Sequence, residues 1–520
     1  MKEGKKSMFK LIFKSTRSLT FELNNQDIYE SKEPFDVFVD DVLVLKDYKK
    51  NVFSLYNLDP NTKYRVKVNG FELDVVTEYE STYLNVLDFG AKGDGKTDDT
   101  MAIQTAILAC PKHGTVKIPK GTYYVKPLFL KSFVTIELVK GATLLGHIDR
   151  NQYPILPAQI QKADGSMLEL SSWEGVSAPT FASIITGIEV EHVKMIGEGI
   201  IDENAQNSDW WINHKVQRGG AWRPKGIFLS NSSHIGFQGI TVTNTPSWNL
   251  HPYFSSYIDF IDMKLISPKD SPNTDGCDPE ACDHVNVIGV DFSVGDDCIA
   301  IKSGKYDLGM KYRRPTSNMV VRNCMMAYGH GAVVLGSEMS GGIKDLTVTQ
   351  CYFKETDRGL RIKTRRGRGN SAIIDGITFE NIYMDNVLTP LVMNMYYYCD
   401  DDGKTEYVWS KEKLPVDQRT PYLGSFKFKN IICENVHAAA GFFYGLPEQP
   451  IEKIELENVS FSYAENAEPF LPAMMSYLDP MLKEGLHFRY VNNVSLKNVR
   501  LKNPLNKPIN LEDVKNFEEN

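Results

Sequence analysis

The chain has 520 residues, 42% of them hydrophobic and 24% charged, with a formal net charge of −8 and a pI near 5.8. These are ordinary values for a folded soluble protein, with length enough for more than one domain and a sizeable core. A mildly acidic chain lacks the positive footprint of a general nucleic-acid binder, and no stretch approaches the roughly eighteen apolar residues of a membrane span.

In chain order, Met8-Phe9-Lys10-Leu11-Ile12-Phe13-Lys14 comes first. Its apolar run is broken by Lys10 and too short for the h-region of a signal peptide, so it reads as a first β-strand. The chain as given is therefore expected to be cytoplasmic, or secreted with its leader already removed. Phe35 to Val39 and Tyr64 to Val68 alternate apolar and polar residues, the pattern of half-buried antiparallel strands. Between them, Leu58-Asp59-Pro60-Asn61-Thr62-Lys63-Tyr64 resembles the corner of a fibronectin type III domain, where a Tyr hydroxyl ties back to upstream backbone. Residues 1–80 are thus expected to form a small β-sandwich. It carries no obvious site and reads as a spacer or a wall of a cleft rather than a carbohydrate-binding module.

The Asp- and Gly-rich segment Asn85 to Thr100 tempts a calcium-loop reading. An EF-hand counted from Asp94 needs an acid or amide at 96, Gly at 99 and Glu at 105. The chain has Lys96, Asp99 and Thr105 there, so that reading is rejected. Asp99 instead stands where it can N-cap an apolar helix from Met101 to Ala109, placed to cover an open sheet end. From about residue 115, short Val/Ile/Phe-rich runs alternate with Gly, Asn and Asp, as in Val193 to Gly197, Val285 to Ile288 and Leu346 to Val348. Helical periodicity is scarce, and the pattern is that of a strand solenoid of either hand. Eight Cys are too few for a disulfide scaffold. No CxxC pair is present, so no zinc site is expected and most Cys read as small buried hydrophobes.

Four short motifs carry the chemistry: Asn273-Thr274-Asp275, Gly295-Asp296-Asp297, Gly329-His330-Gly331 and Arg361-Ile362-Lys363. Asp275 precedes Asp296 by 21 positions, Asp297 precedes His330 by 33, and His330 precedes Arg361 by 31. Those intervals fit successive coils of a solenoid, whose repeats run roughly 20–50 residues. Matching points of consecutive coils stack about 4.8 Å apart, so the motifs are expected to form one vertical file. Neighbouring side chains on a strand face opposite ways, so Asp296 and Asp297 share a cleft only if the strand bends there, with Gly295 easing the bend. Close carboxylates do not all ionise easily, which leaves one of them as a proton donor. His330 lies between two glycines that allow close approach of substrate. Arg361 and Lys363 are two apart and face the same side, a pair suited to a carboxylate. With Arg365, Arg366 and Arg368 they concentrate positive charge on an otherwise acidic chain.

This ordered set resembles glycoside hydrolase family 28, the polygalacturonases, over about residues 84–510, and Asn85 to Thr100 resembles the opening of pectin-degrading β-helices. The resemblance implies an all-β fold, with a right-handed parallel β-helix over residues 81–520 following the fibronectin type III-like sandwich. It implies hydrolysis of α-1,4-galacturonosidic bonds in polygalacturonate with inversion. Asp296 would be the general acid, Asp275 and Asp297 would hold and deprotonate water, and His330 would tune the acid. Arg361 and Lys363 would hold a substrate carboxylate. Asn273 and Asp278 match the family's sugar contacts, Lys302 would hold a second carboxylate, and Trp248 would stack on a ring or lie buried. No metal or cofactor is implied; the partner is polygalacturonate or its oligomers, and oligomeric state is open. Ile301 to Gly304 and Ser337 to Gly342 look like the bacterial exo-acting members, and exo action needs a pocket that insertions at 150–180 and 395–420 would build. The alternatives are an endo-acting enzyme, a calcium-dependent pectate lyase and a non-catalytic carbohydrate-binding solenoid.

Overall fold

The computed structural model describes residues 8–520. Strands Phe9–Lys14, Leu19–Leu23 and Val52–Leu55 form one antiparallel sheet; Glu30–Val39, Val42–Lys50, Lys63–Val68 and Phe71–Val76 form a second. Their alternating apolar residues meet in a core of Phe9, Phe21, Phe35, Phe53, Val66 and Val68, where Phe21 and Phe53 stack at 5.4 Å. The Asp59 backbone N–H donates to the Tyr64 hydroxyl at 2.7 Å, the tie that the string Leu58 to Tyr64 predicts.

From Tyr83–Asn85 onward the chain winds as a right-handed parallel β-helix. Ile136, Met195, Phe237, Phe260, Val287 and Val321 lie at one level in consecutive coils. All are buried, and each contributes about 1.5–3 kcal/mol by leaving water. This like-on-like stacking is why short apolar runs recur at coil-length intervals. Another column of parallel strands carries the motifs. It runs through Ile227–Ser230, Leu250–Tyr253, a link at Cys277 and Glu280, Ile299–Ile301, Val333–Gly336, Arg358–Lys363 and Thr389–Asn394.

The first coil is covered by the helix Thr100–Ala109, which buries Ile103, Ala106 and Ile107. Asp99 stands at its N-cap, and its carbonyl accepts from the Ile103 N–H at 3.1 Å, but its side chain makes no cap bond. The Asp99 carboxylate turns back to accept from the N–H groups of Lys92 and Gly93 at 2.7 and 2.9 Å. Asp98 accepts from the Thr100 N–H instead, at 3.1 Å. Seven of the Cys are buried and Cys399 is exposed, all as free thiols. No helix among the described residues is long and apolar enough to cross a membrane.

The N-terminal sandwich lies along the solenoid. Phe13 and Val52 pack on Ile196, Ile261 and Ile288 from different coils. The Glu22 carboxylate bonds Arg322 and accepts from Asn323 at 2.8 Å, and Lys50 pairs with Asp291 at 2.6 Å. The sandwich therefore buttresses the coils.

Candidate active site

Cys277 is paired with Ile299, which is paired with Val333, which is paired with Leu360. Two residues back along each rung, Asp275, Asp297, Gly331 and Arg358 share one level. The expected vertical file thus holds for Asp275 and Asp297. Asp296 and His330 fall one residue earlier in their coils. Arg361 and Lys363 do not belong to that level: they lie three and five residues beyond Arg358, and only their length brings them back.

Strand Asp291–Val294 ends before Gly295, and the next strand starts at Ile299. Asp296 and Asp297 occupy the bend between them, as the alternation of side chains requires. The reason for glycine there is space rather than a left-handed φ. A Cβ on Gly295 would lie 2.6 Å from the carbonyl oxygens of Pro268 and Ser271. The bend gathers Asp275, Asp296 and Asp297 so that one oxygen from each lies within 4.8 Å of the others.

The three acids are not equivalent. Asp297 Oδ1 accepts from Arg361 Nη1 at 3.1 Å and its Oδ2 from Lys363 Nζ at 2.8 Å. Burial opposes ionisation of Asp297, but Lys363 and Arg361 outweigh it and hold its pKa well below the usual carboxylate range. Asp296 is pushed up by burial and by the Asp297 charge, with His330 pulling the other way. Asp275 is raised well above its ordinary value by burial and by Asp278 and Asp296. One fixed anion beside two carboxyls that retain protons more readily is the separation of acid and base that glycoside hydrolysis requires. The oxygens are close enough for a cation, yet the charge on Asp297 is already met by two cations of the chain itself.

His330 donates its backbone N–H to the Asp296 carbonyl at 3.2 Å. Its ring Nδ1 pairs with Asp357 Oδ2 at 2.8 Å, and that bond raises its pKa. Asp296 and Asp297 add to the rise, so protonation of His330 is favoured by the acids as well as by Asp357. Gly331 is fixed by packing: a Cβ there would lie 2.4 Å from the Val334 side chain, with Asp297 Oδ1 at 3.2 Å and the Arg361 side chain at 3.4 Å behind it.

A second cluster lies deeper. Lys302 Nζ is 3.3 Å from Asp278 and 3.4 Å from Glu338. Burial pushes Asp278 up to about 8 despite Lys302. Glu338 is held low because Lys302 and Lys305 overcome its burial, so Glu338 is the counter-charge of Lys302. Asp278 is 0% exposed and lies beneath the surface, bound to Lys302. The side chain of Asn273 is held by Arg223 Nη2 at 2.6 Å. Trp248 is 2% exposed and stacks on Trp173 at 5.7 Å, which makes it packing rather than a sugar platform. Arg365 and Arg366 are not free site cations either. Arg365 bonds Asp400 and Asp402, at 3.1 and 2.8 Å, and Arg366 bonds Glu448 at 2.6 Å.

Sequence reasoning assigned no role to Asp357, Glu338 or Arg223. Asp357 precedes Arg361 by four residues and was open to notice; the other two depend on loops folding back. Beside the Lys302–Glu338 pair is a cavity of about 780 Å³. Its lining includes Glu169 and Gly175 from one predicted insertion, Asp400 and Tyr407 from the other, and Lys305 and Arg365 between them. Gly175 closes on Glu338 so tightly that a Cβ would lie 2.7 Å from that side chain.

The model of the glycosyl hydrolases family 28 matches residues 115–466, more than half of the chain. The chain belongs to that family. A probable polygalacturonase of Vitis vinifera is 30% identical over 74% of this chain and 75% of its own length. An exo-poly-alpha-D-galacturonosidase of Dickeya chrysanthemi is 28% identical over 63% of this chain, which spans 59% of that protein. The fold agrees with the family 28 exopolygalacturonase of Yersinia enterocolitica at a TM-score of 0.74, with 20% identity and 98% of both chains covered. It also agrees with an exopolygalacturonase of Thermotoga maritima, at a TM-score of 0.66 and 24% identity over 81% of this chain and 91% of that one. In this family 28 chain, Asp275, Asp296 and Asp297 lie together on the motif column, the latter two at the strand bend.

Proposed function

We propose that this family 28 enzyme hydrolyses α-1,4-galacturonosidic bonds from the chain end, with inversion. One observation carries the reading: an ionised Asp297, clamped by Arg361 and Lys363, lies beside a proton-retaining Asp296. Asp296 protonates the leaving oxygen, and Asp297 with Asp275 holds and deprotonates the water. His330, tied to Asp357, keeps a positive charge beside Asp296 and limits the rise in its pKa. Lys363 spends one N–H on Asp297 and keeps others for a sugar carboxylate, which favours uronate over neutral sugar. The relatives named for exo action and the cavity between two insertions support clipping at an end.

The test is an early digest of polygalacturonate, with and without chelator. Exo hydrolysis releases only monomer or dimer, and viscosity falls slowly relative to new reducing ends. A ladder of intermediate oligomers would sink exo action. Chelator-sensitive products absorbing in the ultraviolet would mean elimination rather than hydrolysis.

A further inference from the structure

The cleft between the sandwich and the solenoid carries chemistry that the reaction does not use. Phe133, His192, His234, Tyr257 and His284 stand at one level in consecutive coils, with ring centroids 5.1, 4.6, 4.8 and 4.7 Å apart. Each has a left-handed φ between 54° and 64°, a conformation that Asn, Asp and His tolerate better than most residues. The next rung of the same column is Asn318, with φ 52°. Core packing does not require rings here: His192, His234, Tyr257 and His284 are exposed. The stack borders a cavity of about 940 Å³ whose opposite wall is the sandwich, including Lys14, Glu78 and Tyr79.

The ring faces are consumed by one another, so the cleft is offered edges. Imidazole edges carry N–H donors and lone-pair acceptors, and Tyr257 adds a hydroxyl. They repeat at the rung spacing, about 4.8 Å. Two exposed cations frame them. Lys14 stands on the sandwich side and Lys112 lies 4.1 Å above the Phe133 ring; neither has an ion pair among the described residues. The carboxylates nearby are engaged. Glu78 is bonded through both oxygens by Lys194, at 2.5 and 2.6 Å. Asp259 accepts from Asn286 at 2.8 Å, and Asp283 is paired with His284 Nδ1 at 2.8 Å, which leaves that ring its Nε2 for the cleft. A cleft with spare cations, spent carboxylates and a repeating row of donors is complementary to a polymer carrying repeated hydroxyls and carboxylates.

We infer that this cleft is a second, non-catalytic binding site for an anionic polysaccharide, namely the uronate polymer of the proposed reaction, on which the choice of ligand rests. The sandwich supplies one wall and the imidazole ladder the other. The site holds polymer chains on the enzyme and leaves short oligomers unaffected.

The test is affinity electrophoresis through gels containing polygalacturonate, with dextran gels as the neutral control. Asp296→Asn protein is used so that the polymer survives. His192→Asn, His234→Asn and His284→Asn are combined with Lys14→Gln and Lys112→Gln; Asn318 shows that asparagine fits this column. Loss of several hydrogen bonds and charge contacts is expected to weaken apparent affinity for polygalacturonate roughly tenfold or more, with mobility in dextran, taken relative to a polymer-free gel, unchanged. Lys14→Gln with Lys112→Gln alone, which leaves the ladder intact, is expected to lose part of the effect. With Asp296 restored, kcat and KM on trigalacturonate are expected to match the unsubstituted enzyme, while kcat/KM on the polymer falls. Retardation equal to the unsubstituted protein, or retardation lost equally in dextran, overturns the site. An enzyme inactive on trigalacturonate would overturn the proposed reaction and leave the gel result to decide the cleft.

Discussion

The division of labour among the acids comes from Lys363 and Arg361, and Lys363 tests it. Lys363→Met removes one of two cations that hold Asp297 ionised against its burial. The pKa of Asp297 then rises. The base must be ionised, so the acid limb of the kcat/KM profile is expected to move to higher pH, with the largest loss of rate at the lowest pH. The same substitution leaves a buried carboxylate short of one partner, and breaking a buried pair costs about 3 kcal/mol. The melting temperature is therefore expected to fall, and to fall less at acid pH, where Asp297 takes up a proton. A residue that only held substrate would leave both the melt and the acid limb in place. The residue types of this site were legible in the sequence: Asp275, Asp296, Asp297, His330, Arg361 and Lys363 come together. Their partners were less so. A strand's register is invisible in its own sequence, so the three-residue offset of Arg361 from the level of Asp297 could not be read. Without that offset, the pairing of Arg361 and Lys363 with Asp297 is invisible, and a substrate carboxylate is the one anion the pattern suggests.

At the scale of the element, the bend at Gly295 is the device that aims two successive acids into one site. Its tolerance is narrow because the backbone of Pro268 and Ser271 fills the space a Cβ would need. Gly295→Ala is expected to shift the bend, at a cost of about 1–3 kcal/mol for overpacking. Since Asp296 and Asp297 move with it, kcat is expected to fall by at least about tenfold even where the variant is fully folded, as displaced catalytic groups lose alignment. A variant with a lowered melting temperature but unchanged kcat would show that the acids are placed by their ion pairs and not by the bend. The bend itself was legible, because two neighbouring acids cannot share a face of a regular strand. The N-cap position at Asp99 was legible too, but not that Asp98 supplies the side-chain bond to the Thr100 N–H. Asp98 and Asp99 are equivalent in pattern, and the choice is made by the Lys92–Gly93 turn, whose N–H groups capture Asp99.

Across the whole molecule, the sandwich and the acids meet different columns of the solenoid, and this separates stability from turnover. Glu22 lies at the junction. It is 2% exposed, bonds the Arg322 guanidinium, accepts from Asn323 and pairs with Lys10 at 3.0 Å. The coils it holds also pack against Phe13 and Val52. Glu22→Ala removes the acceptor and leaves the Asn323 side chain, 1% exposed, with one hydrogen bond fewer. An unsatisfied buried polar group costs about 1–3 kcal/mol, so the melting temperature is expected to drop by several degrees. Arg322 and Asn323 end a strand of another column than the one bearing Asp275 and Asp297, with core side chains between them. Below the melting transition, kcat and KM on trigalacturonate are therefore expected to stay within about twofold of the unsubstituted enzyme, as for surface changes remote from a site. Melting curves and initial rates at one temperature decide it. A fall in kcat without a fall in melting temperature would mean that the sandwich sets the geometry of the acids through the coils, and the buttress would then be part of the catalytic machinery.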